Sequence, residues 1–231
     1  MRVYSLLDRL FNVKNFSTEE AEKLQLSLLK KIICEDGLPE RISHVAGVDV
    51  AYTDGHAIGA VAVLDYDTLR TVETQTSYQE VGIPYIPSFL SFREIPHTVS
   101  AMNKLSIKPN VFLVDGHGLA HPRRLGFASH LGLVVDGVTV GVAKSLLCGE
   151  VVDEETDGWK PIIHNESIVG AAVYTKLGVK PIYVSIGHKI SLNTAVEIVK
   201  HCAKGYRVPE PIREAHRAAF QRKMLESHLG G

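Results

Sequence analysis

The sequence contains few cysteines, and their spacing does not pair them. Among 231 residues there are three, Cys34, Cys148 and Cys202, and no two of them form a C-x-x-C pair. This usage predicts neither a disulfide framework nor a zinc knuckle. A reducing cytoplasm is the compartment that fits it best.

Long apolar runs are also missing. The longest, residues 131–149, is interrupted by Asp136 and Lys144 and contains several glycines, whereas a membrane-spanning helix needs roughly 20 apolar residues. Residues 1–9 carry charges where a signal peptide would need an apolar core. The sequence therefore predicts neither a membrane protein nor an exported one.

Several catalytic motifs are absent from the sequence as well. It has no G-x-x-x-x-G-K-[ST] phosphate loop, no G-x-G-x-x-G after a strand and no G-x-S-x-G. Nucleotide-cofactor enzymes and serine hydrolases therefore lose their main support.

What is present is an ordinary globular composition, with 45% hydrophobic and 22% charged residues and a formal net charge of −1. A chain of this length buries enough surface for one core, so we expect a single domain over residues 1–231. The charge is unevenly distributed, because residues 176–231 hold ten basic and four acidic residues. This basic tail suits either a polyanion partner or the solvated face of a terminal helix. Its clustered members are Arg207, Arg213, Arg217, Arg222 and Lys223.

Hydrophobic periodicity predicts an α/β fold with one mixed sheet flanked by helices. The first three strands form an antiparallel meander, and a stiff proline loop follows over residues 82–87. The predicted helices cover residues 17–36, 88–105, a segment ending near 133, 191–203 and 210–228. The predicted strands cover residues 44–52, 57–64, 69–81, 111–114, 139–143, 162–163, 168–174 and 181–185.

Three acidic residues stand where a metal site would need them. Asp49 lies inside an apolar strand, Asp115 ends another strand before a glycine-containing turn that we expect to be flexible, and Glu94 follows the proline loop. If the two strands are neighbours, the carboxylates converge, and hard oxygen ligands suit Mg²⁺ or Mn²⁺ better than zinc. The alternative is that each carboxylate caps a turn or pairs with a local arginine.

Six short segments together resemble the endonuclease V family of deoxyinosine-specific repair nucleases. They are VAGVDVAY at residues 45–52, PYIP at 84–87, FRE at 92–94, VDGHGLAHPR at 114–123, GVAKS at 141–145 and YVSIGH at 183–188. The segments occur in the family's order, and the resemblance runs from about residue 41 to residue 218. Two positions depart from the family pattern, which often has glycine in place of Ser88 and proline in place of Ile186.

The resemblance implies a ribonuclease H-like fold, with an antiparallel three-stranded meander followed by parallel strands. It also implies Mg²⁺-dependent cleavage, with Mn²⁺ able to substitute, at the second phosphodiester bond 3′ to a deaminated base. The products would be a 3′-hydroxyl and a 5′-phosphate. By motif, Asp49 and Asp115 are the metal ligands, and Glu94 completes the acidic site.

Two basic residues join this catalytic set by the same resemblance. Lys144 would orient water or phosphate, and His216 would lie near the metal from the last helix. Other members have aspartate at the last position, so a surface histidine is an equal alternative for His216.

The same resemblance assigns base recognition to the proline loop and the glycine-containing turn. Pro84, Ile86 and Pro87 would stiffen a wedge, whose Tyr85 fills the stack that an extruded hypoxanthine leaves. Backbone groups near Gly116 would distinguish the base by its O6 acceptor and N1–H donor. The pocket would be lined by His121 and, on one wall, Leu90.

The expected partner is DNA containing deoxyinosine or another deaminated base. The sequence leaves the oligomeric state open, with a monomer favoured. Two other functions are left open by the sequence. The same site would serve an inosine-specific endoribonuclease, because metal ligands alone do not read a 2′-hydroxyl. A non-catalytic binder of bent or mismatched DNA would keep Tyr85 and the basic tail but would need no acidic cluster.

Overall fold

The computed structural model describes residues 16–154 and 158–229, which form ten strands and five helices. The strands are β1 (His44–Thr53), β2 (His56–Asp65), β3 (Thr71–Thr76), β4 (Gln79–Glu80), β5 (Val111–Asp115), β6 (Thr139–Ala143), β7 (Glu150–Val151), β8 (Lys160–His164), β9 (Ser167–Val173) and β10 (Ile182–His188). The helices are α1 (Thr18–Leu29), α2 (Leu90–Met102), α3 (Phe127–Val135), α4 (Leu192–Ala203) and α5 (Glu210–Leu229).

The strands form one mixed sheet, which confirms the predicted fold class. Its order is β3-β2-β1-β5-β6-β10-β9-β8-β7, with β4 also paired to β2. The meander β1-β2-β3 is antiparallel, and β5 and β6 continue from β1 in parallel. Parallel pairing ends there. A two-residue turn with positive φ at Asn165 and Glu166 joins β8 to β9, and such a turn requires antiparallel strands.

Two predicted elements are longer in the sequence analysis than in the structure. The helix predicted over residues 17–36 ends at Leu29, because the backbone of Ile33 forms hydrogen bonds with residues at the end of β10 instead of continuing the helix. Its amide donates to His188 Nδ1 at 3.2 Å, and its carbonyl accepts from the Lys189 amide at 2.7 Å. The strand predicted over residues 69–81 breaks into β3 and β4. At the break, Ser77 Oγ accepts from the Gly59 amide and donates to the His97 carbonyl.

Helices cover both faces of the sheet. Ala46 and Val48 of β1 belong to the core cluster beneath α2 and α3, whereas Val45 belongs to the cluster beneath α4 and α5. Gly47, on the same side as Val45, lies against the start of α5. A Cβ atom at this glycine would stand 1.8 Å from the Pro211 carbonyl oxygen. Only glycine therefore allows α5 to approach β1 this closely.

Helix α1 packs outside α2, next to the proline loop. Ser17 caps it by accepting a hydrogen bond from the Glu20 amide. Its apolar face, with Leu24 and Leu28, joins a separate buried cluster that includes Ile83 and Phe89. The N-terminal helix is thereby attached to the segment that contains Tyr85.

In the part of the chain that the structure describes, no helix combines the length and apolarity needed to cross a membrane. The prediction about an export signal concerns residues 1–9, which lie outside the described residues.

Candidate active site

The sheet places Asp49 and Asp115 side by side. Strands β1 and β5 are parallel neighbours with Val48 beside Val114, so the next residue on each strand is one of the two aspartates. Because side chains alternate along a strand, both carboxylates lie on the face covered by α5. Asp49 is 8% exposed and Asp115 is half-buried. The expected neighbouring of these two strands is confirmed.

Glu94 reaches the same place from α2. Its side chain is buried, and its Oε1 accepts a hydrogen bond of 3.2 Å from the Tyr52 hydroxyl. The pKa of Glu94 is raised to about 8, mainly by burial and also by the negative charges of Asp49 and Asp115, against the opposing effect of the Tyr52 hydrogen bond. The three acids therefore share one electrostatic environment.

Two basic side chains offset this negative charge. Lys144, directly after β6, forms an ion pair with Oδ2 of Asp115. On α5, Nδ1 of His216 lies 2.8 Å from Oδ2 of Asp49. Burial raises the pKa of Asp115, and the charge of Lys144 acts in the opposite direction. The structure thus brings the five residues of the predicted catalytic set into contact with one another or into electrostatic interaction.

The donor chemistry of this cluster fits a hard divalent cation. Three carboxylates, with no thiol among them, are the ligands that Mg²⁺ and Mn²⁺ prefer. Among the described residues, no three His, Cys, Asp or Glu side chains already stand in a ligating arrangement. Each carboxylate instead has a partner of its own, Tyr52 for Glu94, Lys144 for Asp115 and His216 for Asp49.

A cavity of about 180 Å³ lies beside the acidic cluster, and we call it the base cavity. Four residues that the sequence assigned to base recognition line it: Tyr85, Leu90, Gly116 and His121. Ser88, Phe127 and Leu147 complete much of the wall, and sequence reasoning missed Phe127 and Leu147. Gly116 follows Asp115 in the chain, so the lining of the cavity is directly connected to the acidic cluster.

The proline loop presents an exposed ring on an anchored backbone. Pro84, Tyr85 and Pro87 are exposed, with 66% of Tyr85 accessible. Ile86 is half-buried and packs on the same apolar cluster as Ile83. The loop has no regular secondary structure, as predicted. Its exposed tyrosine beside a cavity is the arrangement that a base-displacing wedge needs.

The loop is followed by Ser88, which is held by the buried Gln25 and the half-buried Arg123. Its carbonyl accepts from Gln25 Nε2 at 3.0 Å and from Arg123 Nη2 at 3.1 Å. Arg123 Nε in turn donates to Gln25 Oε1 at 2.6 Å. Sequence reasoning missed Gln25 because a lone glutamine in an amphipathic helix resembles a surface residue. Its spacing with Ala21 and Leu28 on the buried face was the available signal.

The glycine-containing turn is firmly held, which corrects the expectation of a flexible turn. The amide of Gly118 donates to Ser185 Oγ at 2.8 Å, and that of Gly116 donates to the Val142 carbonyl. A Cβ atom at Gly118 would stand 2.0 Å from the Ile186 carbonyl oxygen. Two of the amides expected to read the base are therefore already engaged.

His121 is buried and neutral at the back of the base cavity. Its pKa is lowered to about 4, mainly by burial and also by the nearby charge of Arg123. Nδ1 of His121 accepts a hydrogen bond of 3.2 Å from the Arg123 amide. An uncharged ring fixed in this way suits contact with a neutral base.

The basic tail is largely paired within the protein. On α5 each arginine contacts a glutamate one turn away, and Arg207 and Lys223 donate to backbone carbonyls. The pairs are Arg213 with Glu210, Arg217 with Glu214, Arg222 with Glu226, Arg207 with the Lys144 and Pro181 carbonyls, and Lys223 with the Tyr52 carbonyl. This pairing favours the solvated-helix alternative for part of the charge.

The order of the sheet and the carboxylates on its central strands define the class of protein, a nuclease with a ribonuclease H-like fold. Comparison with protein families then identifies the particular family. The family model described as endonuclease V matches residues 26–217, most of the chain. The chain therefore belongs to the endonuclease V family.

Individual relatives agree with this assignment. The endonuclease V of Rippkaea orientalis is 50% identical over 207 residues, which cover 88% of this chain and 90% of the relative. The crystal structure of endonuclease V from Streptomyces avermitilis superposes with a TM-score of 0.85 at 37% identity, covering 92% and 95% of the two chains. Endonuclease V of Ciona intestinalis, crystallised with a 24mer DNA containing an inosine followed by a ribo-adenosine, has a TM-score of 0.80 at 34% identity and coverages of 90% and 98%.

Proposed function

We propose that this protein is a repair endonuclease that cuts DNA at deaminated bases, chiefly deoxyinosine. The cut would fall at the second phosphodiester bond 3′ to the lesion and leave a 3′-hydroxyl and a 5′-phosphate. One observation carries the proposal: the base cavity and the acidic cluster meet at consecutive residues, Gly116 and Asp115. A base held in the base cavity would therefore bring the backbone of its own strand to the acidic cluster.

Recognition would begin with extrusion of the base. Unstacking a base from a duplex costs a few kcal/mol, and the cost is lower at a mispair. Tyr85, exposed at the tip of a loop stiffened by Pro84 and Pro87, would occupy the vacated stack. The inosine-containing DNA bound by the Ciona protein supports this choice of lesion.

Membership of this nuclease family implies use of a divalent metal, and we propose Mg²⁺, with Mn²⁺ able to replace it. Asp49, Asp115 and Glu94 would hold it. When bound, such an ion activates water and neutralises charge on the phosphoryl oxygens. Glu94 is buried, which protects its carboxylate from competing solvent.

The protein's own groups would position the strand around this centre. Lys144 carries a charge beside Asp115 and would attract the phosphate that is to be cut. His216, hydrogen-bonded to Asp49, would keep that carboxylate oriented, because its ring lies at the bonding distance of 2.8 Å. His121, neutral behind the cavity, would contact the base without adding charge.

An inosine-specific endoribonuclease is the second candidate. The nucleotide after inosine in the Ciona ligand is a ribo-adenosine, so a ribose is accepted there by that relative. Competition between deoxyinosine and inosine strands of the same sequence at fixed salt would decide the preference. A non-catalytic DNA binder is disfavoured, because it has no use for three neighbouring carboxylates.

We place the enzyme in a reducing cytoplasm, since Cys34, Cys148 and Cys202 are all free thiols.

The direct test is a nicking assay on a duplex with a single inosine, with and without divalent cation. Product length on a sequencing gel should place the cut directly after the 3′ neighbour of the lesion, at the second phosphodiester bond. A duplex with adenine at that position should stay intact. Cutting that is unaffected by chelation, or equal on both duplexes, would reject the proposal.

A further inference from the structure

A second cavity, of about 440 Å³, is lined by α5 and Lys144 and shares no lining residue with the base cavity. We call it the downstream cavity. Its near wall includes Lys144 and His216, the partners of Asp115 and Asp49. The base cavity contains neither of them and includes Gly116 instead. Asp115 is therefore adjacent to both linings, through its ion pair with Lys144 in one and its chain neighbour Gly116 in the other.

The lining of the downstream cavity combines an apolar surface with cations. Val208 and Ile212 contribute apolar surface, and Phe220 exposes 55% of its side chain there. Arg217, half-exposed, stands one turn from Phe220 on the same face of α5. Its guanidinium contacts Glu214, and a guanidinium has more donors than one carboxylate uses.

An exposed aromatic ring next to cations is the chemistry that binds single-stranded nucleic acid. The ring stacks on a base of any sequence, and the cations follow the phosphates. Phe220 also lies beyond residues 26–217, the part that matches the family model. The match to the family therefore assigns no role to this residue.

We propose that the downstream cavity binds the first nucleotide of the fragment released on the 3′ side of the cut, with its base against Phe220. This inference rests on the proposed function, which places the lesion in the base cavity and the cut on its 3′ side. A strand that crosses the acidic cluster in that direction next meets Lys144, Arg217 and Phe220. The cavity would thereby fix the register of the cut relative to the lesion.

The test measures binding with the divalent ion chelated, so that no strand is cut. One inosine strand ends at the nucleotide before the cut, and a second continues a few nucleotides further. The wild-type protein should bind the longer strand about 10-fold more tightly, the size of one base stacked on an aromatic ring. Phe220→Ala should remove most of this preference and leave binding of the short strand unchanged. Phe220→Trp should retain it.

Two controls separate stacking from other effects. Leu225→Ala removes another exposed apolar side chain of α5, outside the cavity lining, and should behave as wild type. A longer strand that lacks the base of its first downstream nucleotide should lose the same preference as Phe220→Ala, and the two losses should not add.

Two outcomes would overturn the proposal: Phe220→Ala keeping the preference for the longer strand, or weakening both strands equally. Failure of the proposed function would show differently, as equal binding of inosine and adenine strands of either length. The two results are therefore distinguishable in one set of measurements.

Discussion

Gln25 and Ser88, 63 residues apart in the chain, are joined by a partly buried hydrogen bond from the glutamine amide to the serine carbonyl. The bond ties the first helix to the end of the proline loop. Because Ser88 also lines the base cavity, the N-terminal helix supports the wall on which base selection depends.

Gln25→Glu should weaken recognition of inosine. The carboxylate keeps an acceptor for Arg123 Nε but has no N–H to donate to the Ser88 carbonyl. We expect affinity for an inosine strand to fall about 10-fold, with affinity for undamaged DNA unchanged. Binding titrations on matched strands measure both. Ser27→Ala, which removes only a hydroxyl bonded within α1, serves as the control. An equal loss on both strands would indicate general loosening instead.

Tyr85→Ala should affect a paired lesion more than an unpaired one. In a duplex the ring offsets the stacking that the extruded base gives up, a contribution of about 1–3 kcal/mol. In a single strand this stacking hardly exists. The ratio of cutting rates on duplex and single-stranded inosine should therefore fall at least about 5-fold. Equal slowing on both substrates would remove the wedge role from this residue.

Ser88 has a φ of 67°, a conformation in which glycine is unstrained. Ser88→Gly should therefore be at least as stable as wild type, because relief of strain offsets the added freedom of the unfolded chain. Ser88→Val should lower the free energy of unfolding by about 1–2 kcal/mol, since a β-branched side chain is poorly tolerated there. Urea unfolding of the three proteins decides the point. Equal stability of the glycine and valine variants would contradict it.

Asp115→Asn should stop cutting while leaving DNA binding largely intact. The change removes one of the two adjacent strand carboxylates and the ion pair with Lys144. Loss of several kcal/mol of transition-state stabilisation would slow cutting by at least about 100-fold. Single-turnover rates with Mg²⁺ measure the first effect, and titration with chelator present measures the second. A variant that cuts at the wild-type rate would exclude Asp115 from the mechanism.

His130 should make the protein sensitive to acid. It is fully buried, and burial lowers its pKa to about 3. Below the unfolded pKa of about 6.5, the unfolded chain binds a proton that the folded chain excludes down to about pH 3. The free energy of unfolding therefore decreases as the pH is lowered through this window. His130→Leu should reduce that slope by about 1.4 kcal/mol per pH unit, as measured by denaturant unfolding at several pH values. An unchanged slope would mean that the buried ring already takes up its proton in the folded state.

The sequence predicted the central part of the fold because the controlling signals are local. Runs of small, β-branched and apolar residues indicate β1 and β2, and the turn at Asp54 and Gly55 has the positive φ values that its residue types favour. The meeting of Asp49 and Asp115 followed from an aspartate inside one apolar strand and another at the end of a second, once the two strands are neighbours. These features needed only short segments of sequence.

What could not be predicted depends on distant partners. The end of α1 is set by contacts of Ile33 with His188 and Lys189, more than 150 residues away. The break after β3 is set by the contact of Ser77 with His97. Periodicity within a window cannot detect such contacts, so both elements were predicted too long.

The absence of a side chain at Gly47 also determines what can be changed in this enzyme. Since α5 rests on the bare backbone of β1, the gap between Asp49 and His216 is fixed by main-chain contact two residues away. An engineer could exchange either side chain and keep that gap. Even alanine at position 47 would push the helix outward and pull the histidine away from its aspartate.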